Sequence, residues 1–187
     1  ESAPTITDSG DHTMVALAAY SGVITTGDPF VRLGRTLKST ASTALSANGG
    51  DTSVDNSLVV IVSAGALDAT STTACGAATN TDLTAITERL DSYDVDGTGG
   101  GFCLLDGAKV TAGVVGATTL TETSMAEAIA TIALLPTTQL NPTWTARGPD
   151  IQTYSTALAS DTWVKPAGAK FVQITAIGAG GGGTTGR

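Results

Sequence analysis

The pattern of apolar positions is sharpest from Ser57 to Ala66 (SLVVIVSAGA), where Val59, Val60, Ile61 and Val62 stand in a row. Four consecutive β-branched residues lose little on a pleated surface and much in a helix, so this segment predicts a buried strand. His12 to Val23 (HTMVALAAYSGV) alternates Met14, Ala16, Ala18 and Tyr20 against Val15, Leu17 and Ala19. Apolar residues on both faces predict a strand enclosed between two layers, ended by Ser21-Gly22. Ile24 to Val54 is polar, with turn signals at Asp28-Pro29 and at Asn48-Gly49-Gly50-Asp51, and predicts a long meander with one edge strand.

Further along, two segments satisfy both periods. Thr81 to Tyr93 reads as a short helix through Leu83, Ile86 and Leu90, or as a half-exposed strand through Leu83, Ala85, Thr87 and Arg89. Ser124 to Leu135 places Met125, Ile129, Ile132 and Leu135 at helical spacing, while Ala126, Ala128, Ala130 and Ile132 alternate; Pro136 terminates either. Asp94 to Gly101 predicts a glycine-rich turn leading into Phe102 to Leu105, a β-hairpin. Lys109 to Thr121 predicts another strand, with Gly113 and Gly116 marking bulges or close backbone approach. From Thr137 to Asp161 the pattern dissolves around Pro142 and Gly148-Pro149, as in a linker anchored by Trp144 and Tyr154. A last strand, Phe171 to Ala176, runs into polyglycine.

Composition narrows the class to all-β. Of 187 residues, 41% are hydrophobic, 14% charged and only 4% aromatic, and the abundance of Thr, Ser, Val and Gly suits short strands joined by turns. The net charge of −8 with nine scattered basic residues argues against a nucleic-acid partner, which requires concentrated cations. Arg32, Arg35 and Lys38 form one small basic knot, read as a solvated loop. No apolar run reaches the roughly 18 to 20 residues of a membrane-spanning helix, so no membrane partner is expected. Cys75 and Cys103 are the only cysteines, too few for a zinc framework. They read as two small buried thiols in preference to a disulfide, a state suited to a reducing cytosol.

Two stretches carry a resemblance. TWVKPAGAKFVQITAIGAGGGG, with Trp163, Pro166, Gly168, Phe171 and Val172 at the matching positions, resembles the start of the glycine-rich domains of bacteriophage tail fibres and virion appendages. The succession AAYSGV, DNSLVVIVSAG, ERLDSYDV, AGVVGATTLT and ALLP is similar to a β-sandwich module of phage structural proteins and some bacterial surface proteins. The resemblance implies strand for both ambiguous segments. It further implies an antiparallel β-sandwich, jelly-roll or Ig-like, over residues 1–136 with its first strands outside this chain. A linker over 137–161 and the start of a glycine-rich domain over 162–187 complete the expected organisation, that of a piece of a longer polypeptide.

The candidate chemistry is sparse. His12 is the single histidine and lacks the partners of a nucleophilic triad, so it reads as an exposed loop residue and no enzyme is expected. Asp91, Asp94 and Asp96 with Gly97 place hard oxygen donors on a glycine turn, a candidate calcium site set against a solvated hairpin. An EF-hand is excluded, because the twelfth position from Asp94 is Leu105. Glu88 and Asp91, three apart in a strand, are expected on opposite faces and in surface pairs with Arg89 or a neighbouring strand, not as a glycosidase acid pair. Gly99 to Gly101 and Gly180 to Gly183 lack the context of phosphate-binding loops. No cofactor is expected. The expected function is that of a structural virion protein assembled in the host cytoplasm, whose partners are other virion proteins and copies of itself, trimeric by analogy with fibres. The alternative is a carbohydrate-binding or adhesin module whose partner is a host-surface glycan.

Overall fold

The computed structural model describes residues 13–66, 73–94, 100–137, 150–154 and 171–178, and these form β-strands without a helix. The all-β antiparallel class expected from the sequence is what the structure has. Six strands build the main sheet: β2 (Phe30–Ala47), β4 (Ser57–Ala66), β5 (Cys75–Thr79), β6 (Thr84–Asp94), β7 (Gly100–Lys109) and β9 (Thr118–Leu134). Their order is β2-β9-β4-β7-β6, with β5 on β9 as well. β3 (Gly50–Thr52) pairs β8 (Gly113–Val115), and β1 (Thr13–Tyr20) lies between β10 (Asp150–Tyr154) and β11 (Phe171–Gly178).

Both ambiguous segments are strands, in β6 and β9. Lys109 to Thr121, expected as one strand, is instead divided among the end of β7, β8 and the start of β9. The break follows from the backbone: Gly113 takes φ +129°, and the Asp55 carboxylate accepts the Ala112 amide at 2.7 Å, which holds a turn where a strand would continue. The expected edge strand in the polar stretch is β2, at 18 residues far longer than a meander segment. The stretch expected as a linker contributes β10, and β11 from the glycine-rich segment pairs β1 over eight positions. The β1 ladder thus joins strands from all three expected units.

β2 and β9 run as one antiparallel ribbon from Phe30↔Leu134 to Ala47↔Thr118, with register shifts at Arg32/Gly34, Lys38/Ser42 and Ser42/Ala44. Bulges bend a strand, and this ribbon folds back on itself: the Asn48 side-chain amide reaches Arg35 O at 3.1 Å, and the Thr36 hydroxyl lies 3.4 Å from Ser46 O. The second half of β9 pairs β4, and the first half pairs β5. β9 therefore passes from the main sheet into a second layer above it.

Period-two alternation then gives the main sheet two buried faces. On one, Val59, Ile61, Cys103, Leu105, Ile129 and Ala133 pack against Leu45, Ala47, Leu120, Cys75 and Val115 of the folded-back layer. On the other, Leu58, Val60, Val62, Phe102, Leu104 and Leu134 pack against Ala16, Ala18 and Tyr20 of β1. Burial of both faces explains the unbroken apolar run of β4, in which Val59 and Val60 are fully enclosed.

Cys75 and Cys103 form a disulfide with Cα atoms 5.9 Å apart, which corrects the expectation of two free thiols. Both are buried, and they face each other across the two layers, β5 to β7. Their separation of 28 residues is bridged by the fold, not by any local sequence spacing.

Candidate functional site

The polar chemistry of the described residues gathers in three places. The first lies around the disulfide. Asp91 and Cys103 are paired in register, as are Glu88 and Leu105, and a register shift between Glu88 and Leu90 inserts one extra residue. That bulge brings Glu88 and Asp91 to the same face, against the expectation of opposite faces for a regular strand. Asp91 Oδ1 accepts the Ala74 amide at 2.6 Å and the Cys75 amide at 3.4 Å, so this carboxylate holds the start of β5. Cys75 Sγ lies 3.7 Å from Glu88 Oε2, and the three ligand-type atoms of Cys75, Glu88 and Asp91 fall within 4.8 Å of one another. A disulfide sulfur is no thiolate, which leaves two carboxylates. Burial and the Asp91 charge hold the Glu88 carboxyl above its ordinary range.

For the candidate calcium residues, Asp94 pairs with Gly100. The regular register from Asp91 to Asp94 puts these two side chains on opposite faces of β6. Asp96 and His12 lie outside the described residues.

The second place is Arg89, whose Nε donates to Asp106 Oδ2 at 2.9 Å. Arg89 thus pairs with β7 and with neither Glu88 nor Asp91. Asp106 is 2% exposed; burial raises its pKa, and the Arg89 guanidinium opposes the rise only in part. Tyr20 of β1 sits in the field of both, its phenol held far above the usual range by burial first and by the Asp106 charge second.

The third place is the bend of the β2–β9 ribbon. Lys38 and Glu127 are directly paired in register, and Glu122 lies opposite Cys75 on the other arm. Lys38 Nζ contacts Glu122 Oε1, lies 2.9 Å from Glu127 Oε1, and donates to Ser42 O at 3.0 Å. The Lys38 side chain is 15% exposed and both carboxylate side chains are 0% exposed. Gly65 of β4 leaves the room: a Cβ there would stand 2.5 Å from Ala126 O and 2.7 Å from Glu127 Cβ. Glu122 Oε2 and both Glu127 oxygens lack a hydrogen-bond donor in suitable geometry.

One ammonium facing two buried carboxylates leaves an uncompensated charge, which in a low-dielectric site is removed by binding a proton. Burial first, and contact with Glu127 second, push the Glu122 carboxyl up to about 7 in spite of Lys38. Burial alone would lower the Lys38 ammonium, but its contacts with Glu122 and Glu127 carry it above the ordinary value. Near neutral pH Glu122 is therefore partly protonated beside the Lys38 ammonium.

No family model, curated protein or solved structure matches the chain.

Of the basic knot, Arg32 and Arg35 are exposed, as expected, but on a strand and not in a loop, and Lys38 turns inward to the acid pair. The alternation of β2 across its bulges separates them. Sequence reasoning missed this cluster, although one signal was present: Glu122 and Glu127 are the only charges between Val110 and Leu135. Two isolated acids in an apolar strand call for a buried partner.

Proposed function

We propose that this chain is a non-enzymatic structural module of a bacteriophage virion appendage, acting by assembly with copies of itself and with other virion proteins. The sequence resemblance motivates the virion setting. The observation that supports assembly is a sheet face that the described residues cover over only part of its width. Leu58, Val60 and Val62 of β4 are buried beneath the β1 sheet, while in the same cross-strand rows Arg35↔Ala130↔Val62 and Leu37↔Ala128↔Ala64 run outward to the β2 edge. There Leu37 is 77% exposed, Ala128 and Ala130 are exposed, and Phe30 is 43% exposed.

An exposed strip in which Phe30, Leu37, Ala128 and Ala130 are interspersed with Arg32 and Arg35 has the composition of a protein interface. Arg32 and Arg35 are the exposed cations among the described residues, in a chain of net charge −8. An acidic copy of the same chain is electrostatically complementary to them.

The glycan reading expects a row of exposed rings on one face. Among the described residues, the exposed large aromatics Phe30 and Tyr93 stand at opposite edges of the main sheet, and their register places them on opposite faces. This favours assembly over sugar stacking.

Two measurements test the reading. Light scattering over rising concentration is expected to give a mass that is a multiple of 18.5 kDa, and peptides of this chain are expected in the mass spectrum of purified particles. A constant monomer mass overturns the assembly role. Peptides present in the infected-cell lysate but absent from particles overturn the virion role.

A further inference from the structure

We propose that Lys38 and Glu122 become joined by an intramolecular amide bond, with Glu127 as the proton carrier, so that β2 and β9 are covalently locked at the bend of their ribbon. The geometry holds every participant in place. Lys38 Nζ touches the Glu122 carboxyl and lies 2.9 Å from Glu127 Oε1, on adjacent strands whose pairing fixes the approach. The Glu127 side chain is 0% exposed and presents Oε1 to Lys38 Nζ at 2.9 Å, within reach of a proton transfer. The charged groups facing the cluster among the described residues are these three; β4 presents Gly65 and β5 presents Cys75, which is held in its disulfide.

An amine in contact with a carboxylic acid in water rests as an ion pair, because hydration favours the charges. Burial works against that preference; the contacts with Glu122 and Glu127 still hold Lys38 as the ammonium, so a proton must leave it first, and fixed contact replaces a bimolecular encounter by an intramolecular one. The Lys38 ammonium passes one proton to the Glu127 carboxylate, and the neutral amine attacks Cδ of the protonated Glu122 carboxyl. The N–C bond forms as Nζ loses a second proton through Glu127 to the departing hydroxyl, and the C–O bond breaks with release of water. Of four protons at the start, three on the ammonium and one on Glu122, one stays on the amide, two leave in the water and one remains on Glu127. No oxidant, reductant or cofactor takes part. The product buries no charge, whereas the starting cluster buries two, and this difference favours the forward direction in a dry site.

The test is mass spectrometry of the purified chain after prolonged incubation at neutral pH. The expected result is an intact mass lower by one water, about 18 Da, beyond the two hydrogens of the disulfide. Trypsin is expected not to cut after Lys38, and fragmentation to locate the link between Lys38 and Glu122. Replacing Glu127 by Gln nearly preserves shape and removes the proton acceptor; Glu127→Gln is expected to slow linkage on the order of 100-fold or more. Lys38→Arg is expected to show the full mass while retaining the Cys75–Cys103 disulfide, which reports a folded chain. An unmodified wild-type mass with a tryptic peptide ending at Lys38 overturns the proposal. So does a water loss located elsewhere, such as cyclisation at Glu1, and linkage in Glu127→Gln at the wild-type rate overturns the role of Glu127.

Discussion

Asp106 and Ala85 show what single residues contribute to a sheet buried on both faces. Asp106 of β7 is 2% exposed and pairs with the Arg89 guanidinium, and burial raises its pKa. A carboxyl raised in the folded state binds its proton more tightly there than in the unfolded chain. Its contribution to stability is therefore full below the ordinary carboxylate range and is lost as pH rises through the raised value. In urea titrations, the stability of wild type minus that of Asp106→Asn is expected to fall as pH rises from about 4 toward neutrality; a difference independent of pH would show that Asp106 carries no shifted proton. Ala85 lies at the first irregularity of β6 with φ +53°, a region where a Cβ costs about 1 kcal/mol. Its side chain is exposed, so little packing is lost with it. Ala85→Gly is expected to stabilise the chain by roughly 0.5–1 kcal/mol in the same titration, against the usual loss for glycine within a strand. Neither feature was legible in the sequence. Asp106 reads there as one polar residue after Leu104-Leu105, and a positive φ at alanine has no sequence signature because the surrounding pairing imposes it.

At the scale of elements, legibility follows the physics of each strand. β4 was readable because both of its faces are buried and its β-branched run has one good conformation. β2 and β9 were not readable as 18- and 17-residue partners, because the bulges between Lys38 and Ala44 turn the ribbon through a corner and expose its polar tip. The same corner hides the Lys38 cluster: residues 84 and 89 positions apart meet only once the register is set. The disulfide is equally non-local in origin, since Cys75 and Cys103 occupy layers that the bent β2–β9 ribbon joins. Closing a loop of 28 residues in the unfolded chain is worth about 3–4 kcal/mol in the chain-entropy account. Replacing both cysteines by alanine is expected to lower the unfolding free energy by about that amount in guanidinium titrations. Because Cys103 is 0% exposed, dithiothreitol under native conditions is expected to reduce the wild-type bond only as fast as the layers open. Reduction at the rate of an exposed disulfide would place the bond outside the core and remove this account of it.

For the whole molecule, the proposed assembly rests on the uneven covering of the main sheet by the described residues. Its two edge strands differ in charge: β2 carries the exposed Arg32 and Arg35, and β6 carries the exposed Glu88 together with Asp91 and Asp94. Contact between unlike surfaces of two copies is heterologous, and closes into a ring or continues as a filament according to its rotation. Leu37, exposed and flanked by Ala128 across the ribbon, makes few contacts within its own chain, so changing it tests association separately from folding. A carboxylate there would bury a charge in any interface built on the strip and would also offset the neighbouring arginines. Leu37→Glu is expected to leave the unfolding free energy within about 0.5 kcal/mol of wild type while weakening self-association at least tenfold, a change of about 1.4 kcal/mol. Sedimentation velocity over a concentration series measures the second quantity and denaturant titration the first. An oligomer of unchanged affinity in Leu37→Glu would move the interface away from the β2–β9 strip, and a variant equally weakened in both measurements would return Leu37 to a role in folding. Raising the salt concentration separates the remaining contributions, since an interface drawn together by Arg32 and Arg35 against an acidic copy weakens with ionic strength, whereas one held by the apolar strip alone does not.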